Sequence, residues 1–130
     1  MKKIFQYALL LALILILQSC ATLADARKAE GEGVRKVYKV SIDKSWNATL
    51  KVLSKLKLDL VTENKMEGYI LAQRGITAFS YGENIAIFLK TKNDQETEVE
   101  VVSKRAMETN IFAPDWSKDI HEELQMALTN

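Results

Sequence analysis

Few side chains in this sequence could do chemistry, and they stand far apart. The 130 residues contain one cysteine and one histidine. Cys20 closes an apolar run in LILQSC (15–20), and His121 sits in DIHEEL (119–124). A histidine beside carboxylates could serve as a general base or a zinc ligand. The zinc-protease spacing H-E-x-x-H calls for a second histidine at position 125, where the chain has Gln125. Next to Ile120 on an amphipathic pattern, His121 is expected to face water. Glu96, Glu98 and Glu100 form a stripe that could gather a cation. Lys90 and Lys92 precede them on the facing strand, so the plainer expectation is a solvated, salt-paired sheet face. No serine lies in a Gly-x-Ser-x-Gly elbow, and Gly75 and Gly82 bracket ITAFSY without forming a phosphate-cradling loop. Asn47-Ala48-Thr49 matches a glycosylation sequon, but it falls inside a predicted helix and is read as accidental. The pattern thus points to no catalytic residue, no metal and no cofactor.

Cys20 is set apart by what precedes it. Lys2 and Lys3 open the chain, and Ala8 to Leu17 is an unbroken apolar run. A permanent membrane-spanning helix needs about 20 such residues. A positive start, a short apolar core and small residues at its end read as a secretory signal. Leu17-Gln18-Ser19-Cys20 further resembles the lipobox of bacterial lipoproteins: an aliphatic residue, a tolerant position, a small residue, then cysteine. Gln18 is a less common occupant of its slot. The resemblance implies cleavage between Ser19 and Cys20, a diacylglyceryl group on the Cys20 thiol and an acylated new amino terminus. It also accounts for a lone cysteine in an oxidising compartment, where an odd thiol invites stray pairing. In such lipoproteins Asp directly after the cysteine marks retention in the inner membrane. Ala21 stands there, which implies the outer membrane, with the domain facing the periplasm.

The charge balance carries no bias. Of 18 basic and 17 acidic side chains, only Lys2 and Lys3 fall within residues 1–19. The remainder is close to neutral, which argues against a nucleic-acid partner and against electrostatic steering towards a charged one. The expected organisation is a signal peptide over 1–19, a lipidated tether over 20–33 and one domain over 34–130. ATLADARKAEGEG (21–33) has no large apolar residue except Leu23. Fully extended it would reach at most about 45 Å, enough to stand the domain off the membrane.

Within the domain, VRKVYKVSI (34–42) alternates as a strand with Tyr38, Val40 and Ile42 on one face. Asp43 is the expected N-cap of a helix whose face carries Trp46, Leu50 and Leu53, widened by Ala48, Val52 and Leu56. LDLVTEN and EGYILAQR flank KMEG as a hairpin. NIAIFLKTK and ETEVEVVSK make a second, with Asn93-Asp94-Gln95 as its loop and with Lys92 opposite Glu96 and Lys90 opposite Glu98. Pro114 is expected at the first position of a last helix built on Trp116, Ile120, Leu124 and Leu128, with Ala127 beside them. Both tryptophans should pack on the sheet. The fold class is α+β: a five-stranded, mostly antiparallel sheet with two amphipathic helices, in the order β-α-β-β-β-β-α. GITAFSYGEN and TNIFAPDW are ambiguous. Ile76, Phe79, Tyr81, Ile111 and Phe112 either finish the core at the sheet ends, the preferred expectation, or form an exposed partner surface.

Trp46, Ala48 and Leu53 on the first helix, with Gly68, Ile70 and Ala72 on a strand, resemble a family of short bacterial lipoproteins of unknown function. The likeness covers roughly residues 34–128. NIFAPDWSKDI departs from the family's shorter link before the last helix. The order of elements also resembles the helix-grip modules of the lipoprotein C subunit of the outer-membrane β-barrel assembly machine, at the level of fold only. These resemblances imply a lipid-anchored, non-catalytic binding or adaptor module of the cell envelope, joined to the membrane through Cys20 and to an envelope protein through its domain. The alternative is a carrier of a lipid or small molecule, with a cavity between helix and sheet.

Overall fold

Alternation in the strands and the three-to-four spacing in the helices decide most of the architecture. A computed structural model describes residues 1, 3–7, 21–78, 80–107 and 112–129. Five strands form one sheet: β1 (Val34–Tyr38), β2 (Asp59–Asn64), β3 (Tyr69–Arg74), β4 (Glu83–Asn93) and β5 (Glu96–Arg105). Their order is β1-β5-β4-β3-β2, and every neighbouring pair is antiparallel. The meander β2 to β5 needs only tight turns. β1 joins its far edge, so the connecting helix α2 (Ile42–Lys55) must cross the whole sheet. The last helix, α3 (Trp116–Thr129), returns over the same face and packs beside α2. The class is α+β, and from Val34 onward the order roughly matches the expected one, with a further helix before β1.

Between these helices and the sheet lies the main core. Ile70 and Ala72 of β3, Ile85, Ile87 and Leu89 of β4, and Val99 and Val101 of β5 meet Trp46, Val52 and Leu53 of α2 and Trp116, Ile120 and Leu124 of α3. Both tryptophans are buried there. Burying each large side chain is worth roughly 1.5–3 kcal/mol, so this layer is the chief source of stability.

The opposite face is also covered, and this corrects the expected tether. Leu23–Lys28 forms a short helix, α1, begun by a reciprocal Thr22–Asp25 capping box. Ala26 and Ala29 sit fully under cover against Leu71, Ala86, Phe88 and Val102 of the sheet, with Leu23 beside them. Arg27 pairs with Glu67 and lies 4.2 Å over the Tyr69 ring. Small residues at 26 and 29 let the helix backbone approach the sheet closely. Among the described residues, 23–29 therefore belong to the folded unit as well as the chain from Val34. The chain then passes Gly33, where a Cβ would stand only 2.5 Å from Val101 O. No side chain fits that approach.

Four boundaries also shift. β1 ends at Tyr38, Ile42 belongs to α2, and Ser41 caps that helix in place of Asp43, its hydroxyl accepting from Lys44 N. Ser fits the cap because its short side chain brings an acceptor oxygen to an otherwise unpaired amide of the first turn. α3 starts at Trp116 rather than Pro114, with the Asp115 carboxylate accepting from Ser117 N. Between β4 and β5 the pairs Lys90↔Glu98 and Leu89↔Val99 hold, but a bulge lies between Thr91 and Asn93. Asn93 therefore faces Glu96, and Lys92 pairs with Glu98 at 3.5 Å. Finally, Lys57 ends α2 in the left-handed region at φ 56°. Lys57→Gly should raise stability by roughly 0.5–1 kcal/mol in urea unfolding, because glycine adopts that conformation without strain.

Candidate functional site

Among the described residues, three groups of polar side chains have unusual surroundings, and one of them lines a cleft. The first is the histidine. His121 is 1 % exposed, so the expectation that it faces water is overturned. Tyr38 donates its hydroxyl to His121 Nδ1 at 2.8 Å, and His121 Nε2 donates to Val34 O at 2.9 Å. The carbonyl can only accept, which assigns the ring proton to Nε2. Burial pushes the His121 pKa below its ordinary value, against the bond to Val34, with nearby Lys36 adding to the fall. Burial likewise pushes Tyr38 up to about 12. Both ring nitrogens are engaged, so the pair pins the edge strand β1 to α3.

The second group is Glu100, expected on a solvated face and found 2 % exposed. One carboxylate oxygen accepts from Gly31 N at 2.6 Å and Gly33 N at 2.8 Å, and the other from Arg35 Nε at 3.1 Å. Burial pushes its pKa up, but the two amides and the guanidinium outweigh it and hold the carboxyl below its ordinary value. Its work is to clamp the chain between α1 and β1. The glutamate stripe is thus divided: Glu96 and Glu98 stay near solvent, and Glu100 does not.

The third group lies where β3 ends and β4 begins. A cleft of about 250 Å³ is lined by Asp59, Arg74, Ile76, Tyr81, Glu83 and Asn84, among others. Glu83 is 1 % exposed, with Arg74 across the ladder on one side and Arg105 on the other. Its carboxylate accepts from the Ser80 hydroxyl and from Trp116 Nε1 at 3.4 Å. Ser80 Oγ in turn accepts from Gly82 N at 3.0 Å, and Gly82 O accepts from Ala106 N at 3.0 Å. Gly82 is required here: its φ is +102°, and a Cβ would stand 2.9 Å from Arg74 O. The Arg74 guanidinium covers the Trp116 ring at 5.0 Å. Serine and carboxylate together tie the 75–82 loop to α3.

Three apolar residues of the two ambiguous loops, Ile76 and Tyr81 of them lining this cleft, do not finish the core. Ile76 is 78 % exposed, Tyr81 59 % and Phe112 80 %. The core expectation is overturned for these three; at this sheet end the Ser80–Glu83–Trp116 lock is what holds the loop to the core. Phe79, Ile111, Ser19 and Cys20 lie outside the described residues. Ala21 is described, and it arrives at this same end. Its N–H donates to Ala106 O at 3.1 Å, and its carbonyl accepts from Asn84 Nδ2 at 2.9 Å. Gln73 Nε2 steadies Asn84 from the next strand at 2.8 Å.

Glu83 was legible in outline, since it shares the parity of Ile85 and Ile87 and so must point inwards. Arg74 likewise follows Ile70 and Ala72. Among the described residues no three His, Cys, Asp or Glu side chains gather as a metal site, and no helix is long and apolar enough to cross a membrane. No protein-family model matches the chain, and comparison with curated proteins gives no match.

Proposed function

We propose that this protein is a lipid-anchored lipoprotein of the bacterial cell envelope whose domain works by binding, as a non-catalytic binding or adaptor module. The observation that carries the reading is a contrast at one end of the sheet. The polar groups that could react, Ser80 and Glu83, are tied up internally, while Ile76, Tyr81 and Phe112 stand in solvent. Large apolar side chains exposed together mark contact surfaces. The LQSC sequence supplies the anchor, and Ala21 after it favours the outer membrane with the domain facing the periplasm.

Photoreactive residues at Tyr81, Phe112 and Glu98 in intact cells test the binding role. Reproducible capture of one molecular species from one face supports it, and no capture above background from any position would sink it. For the anchor, Cys20→Ser should move the chain from the membrane fraction to the soluble one. Retention of the variant in the membrane would refute lipid attachment at that residue.

A further inference from the structure

We propose that the sheet end carrying Ile76, Tyr81 and Phe112 is a membrane-contact surface, with these side chains set into the headgroup–acyl boundary of the bilayer that holds the anchor. The inference rests on the reading of Cys20 as the lipidated residue and names what that surface binds.

Position is the first argument. Both backbone polar groups of Ala21 are bonded into the fold, to Ala106 O and to Asn84 Nδ2. Consecutive Cα atoms are 3.80 Å apart, so an acylated residue 20 begins within one peptide of this sheet end. The chain that could have served as a spacer is instead α1, folded along the second face. A domain attached this way cannot stand off the bilayer. The end that meets the lipid is the end where Ala21 is fixed.

Side-chain chemistry is the second argument. Ile76 follows β3 by two residues, Tyr81 precedes β4 by two, and Phe112 precedes Trp116 by four. β3 ends, β4 begins and β5 ends at this edge, with Trp116 bonded to Glu83 there. Ile76 and Tyr81 line one cleft with Asn84 and Ala106, the two partners of Ala21, so they stand beside the residue next to the anchor. Phe112 is the exposed ring leading into the helix that Trp116 ties to this end. Isoleucine and phenylalanine suit the acyl boundary. Tyrosine suits the level above it, with its ring in the interface and its hydroxyl in water. The charges nearby are of both signs, Arg74 and Arg105 against Asp59 and Asp115, so the attraction is apolar rather than electrostatic. It should be indifferent to anionic lipid content and to salt. The opposite end, where the β2–β3 turn carries Met66 at 99 % exposure, then points away from the membrane.

Lipid-borne quenching tests this on the full-length lipidated chain in phosphatidylcholine vesicles containing a doxyl-labelled lipid. Single variants Ile76→Cys, Tyr81→Cys, Phe112→Cys and Met66→Cys each carry an NBD fluorophore on the new thiol. Fluorescence at 76, 81 and 112 should be quenched several times more strongly than at 66, with no change in high salt. Equal quenching at both ends, or none, while the protein stays on the vesicles would overturn the inference and leave the anchor intact. So would in-cell crosslinks from 76 or 112 that capture a protein instead of lipid. An unacylated Cys20 thiol in the purified chain, read from its intact mass, would sink the lipoprotein reading itself, and the inference would fall with it.

Discussion

Glu100→Ala should lower stability by about 2–4 kcal/mol, which for a domain of this size means a fall in Tm of about 10 °C or more. The carboxylate accepts three hydrogen bonds, from Gly31 N, Gly33 N and Arg35 Nε, and it lies under the chain that donates them. Bonds to a buried charge are worth roughly 1.5–3 kcal/mol each, less where water can replace the lost partner. Gly31 is exposed and recovers part of its loss, whereas Gly33 is half-buried against Val101 and cannot do so as easily. Glu100→Gln keeps one acceptor oxygen and should fall between the two. The loss should also be local. Glu100 is what fastens the segment between α1 and β1, so amide hydrogen exchange should speed up over residues 21–38 before it does in β3 and β4. A uniform gain in exchange across the sheet would mean that the carboxylate supports the core and not the clamp. The depressed pKa adds a condition on pH. Its contribution is full above the ordinary value of 4.5 and is lost as pH falls through the lower folded value.

That clamp shows where sequence reading succeeds and where it stops. The β4–β5 register follows from period-two alternation, because sliding one strand by a residue would turn Ile87 and Val101 out of the core. The bulge near Lys92 alters only the turn, which alternation does not constrain. α1 escaped notice because its buried face is made of alanines, and a six-residue helix shows no periodic stripe of large apolar residues. A warning was present in β4 itself. IAIFL, 85–89, is apolar at every position, the mark of a strand covered on both faces. Two helices cover one face only, so something else had to cover Ala86 and Phe88, and residues 21–33 were the unassigned segment at hand. Glu100 follows from the same logic: on the covered second face, a glutamate must find donors. The exposure of Ile76, Tyr81 and Phe112 was not legible. Loop residues carry no periodicity, and whether they cap the core depends on Trp116 meeting the neighbouring Ser80 and Glu83 from a segment 33 residues away.

His121 gives the second expectation: below pH 6.5 the protein should lose stability on acidification, and this slope should vanish in His121→Gln. His121 donates from Nε2 to Val34 O and accepts from Tyr38 at Nδ1, a pattern that only the neutral ring satisfies. Protonating Nδ1 would reverse that bond, with the Tyr38 oxygen accepting from Nδ1 and its own proton going to the longer contact with His121 O at 3.2 Å. Burial is the main reason that the folded pKa lies below 6.5, and Lys36 disfavours the cation further. The unfolded chain therefore binds the proton more readily than the native one. Stability is fully present above 6.5 and is lost as pH falls from there through the folded value, at no more than about 1.4 kcal/mol per pH unit. Glutamine removes the titrating group, so the variant should be less stable at pH 7, by about 2–3 kcal/mol for the broken buried contacts, yet flat where the parent falls. Urea unfolding at a series of pH values between the His121 and Glu100 windows separates the two groups. A parent curve that stays level from pH 7 to 5 would show that the ring takes up its proton within the fold. Because Tyr38 and Val34 belong to the edge strand, the first structure to loosen on acidification should be β1 leaving α3. Hydrogen exchange over residues 34–38 would register that release ahead of global unfolding.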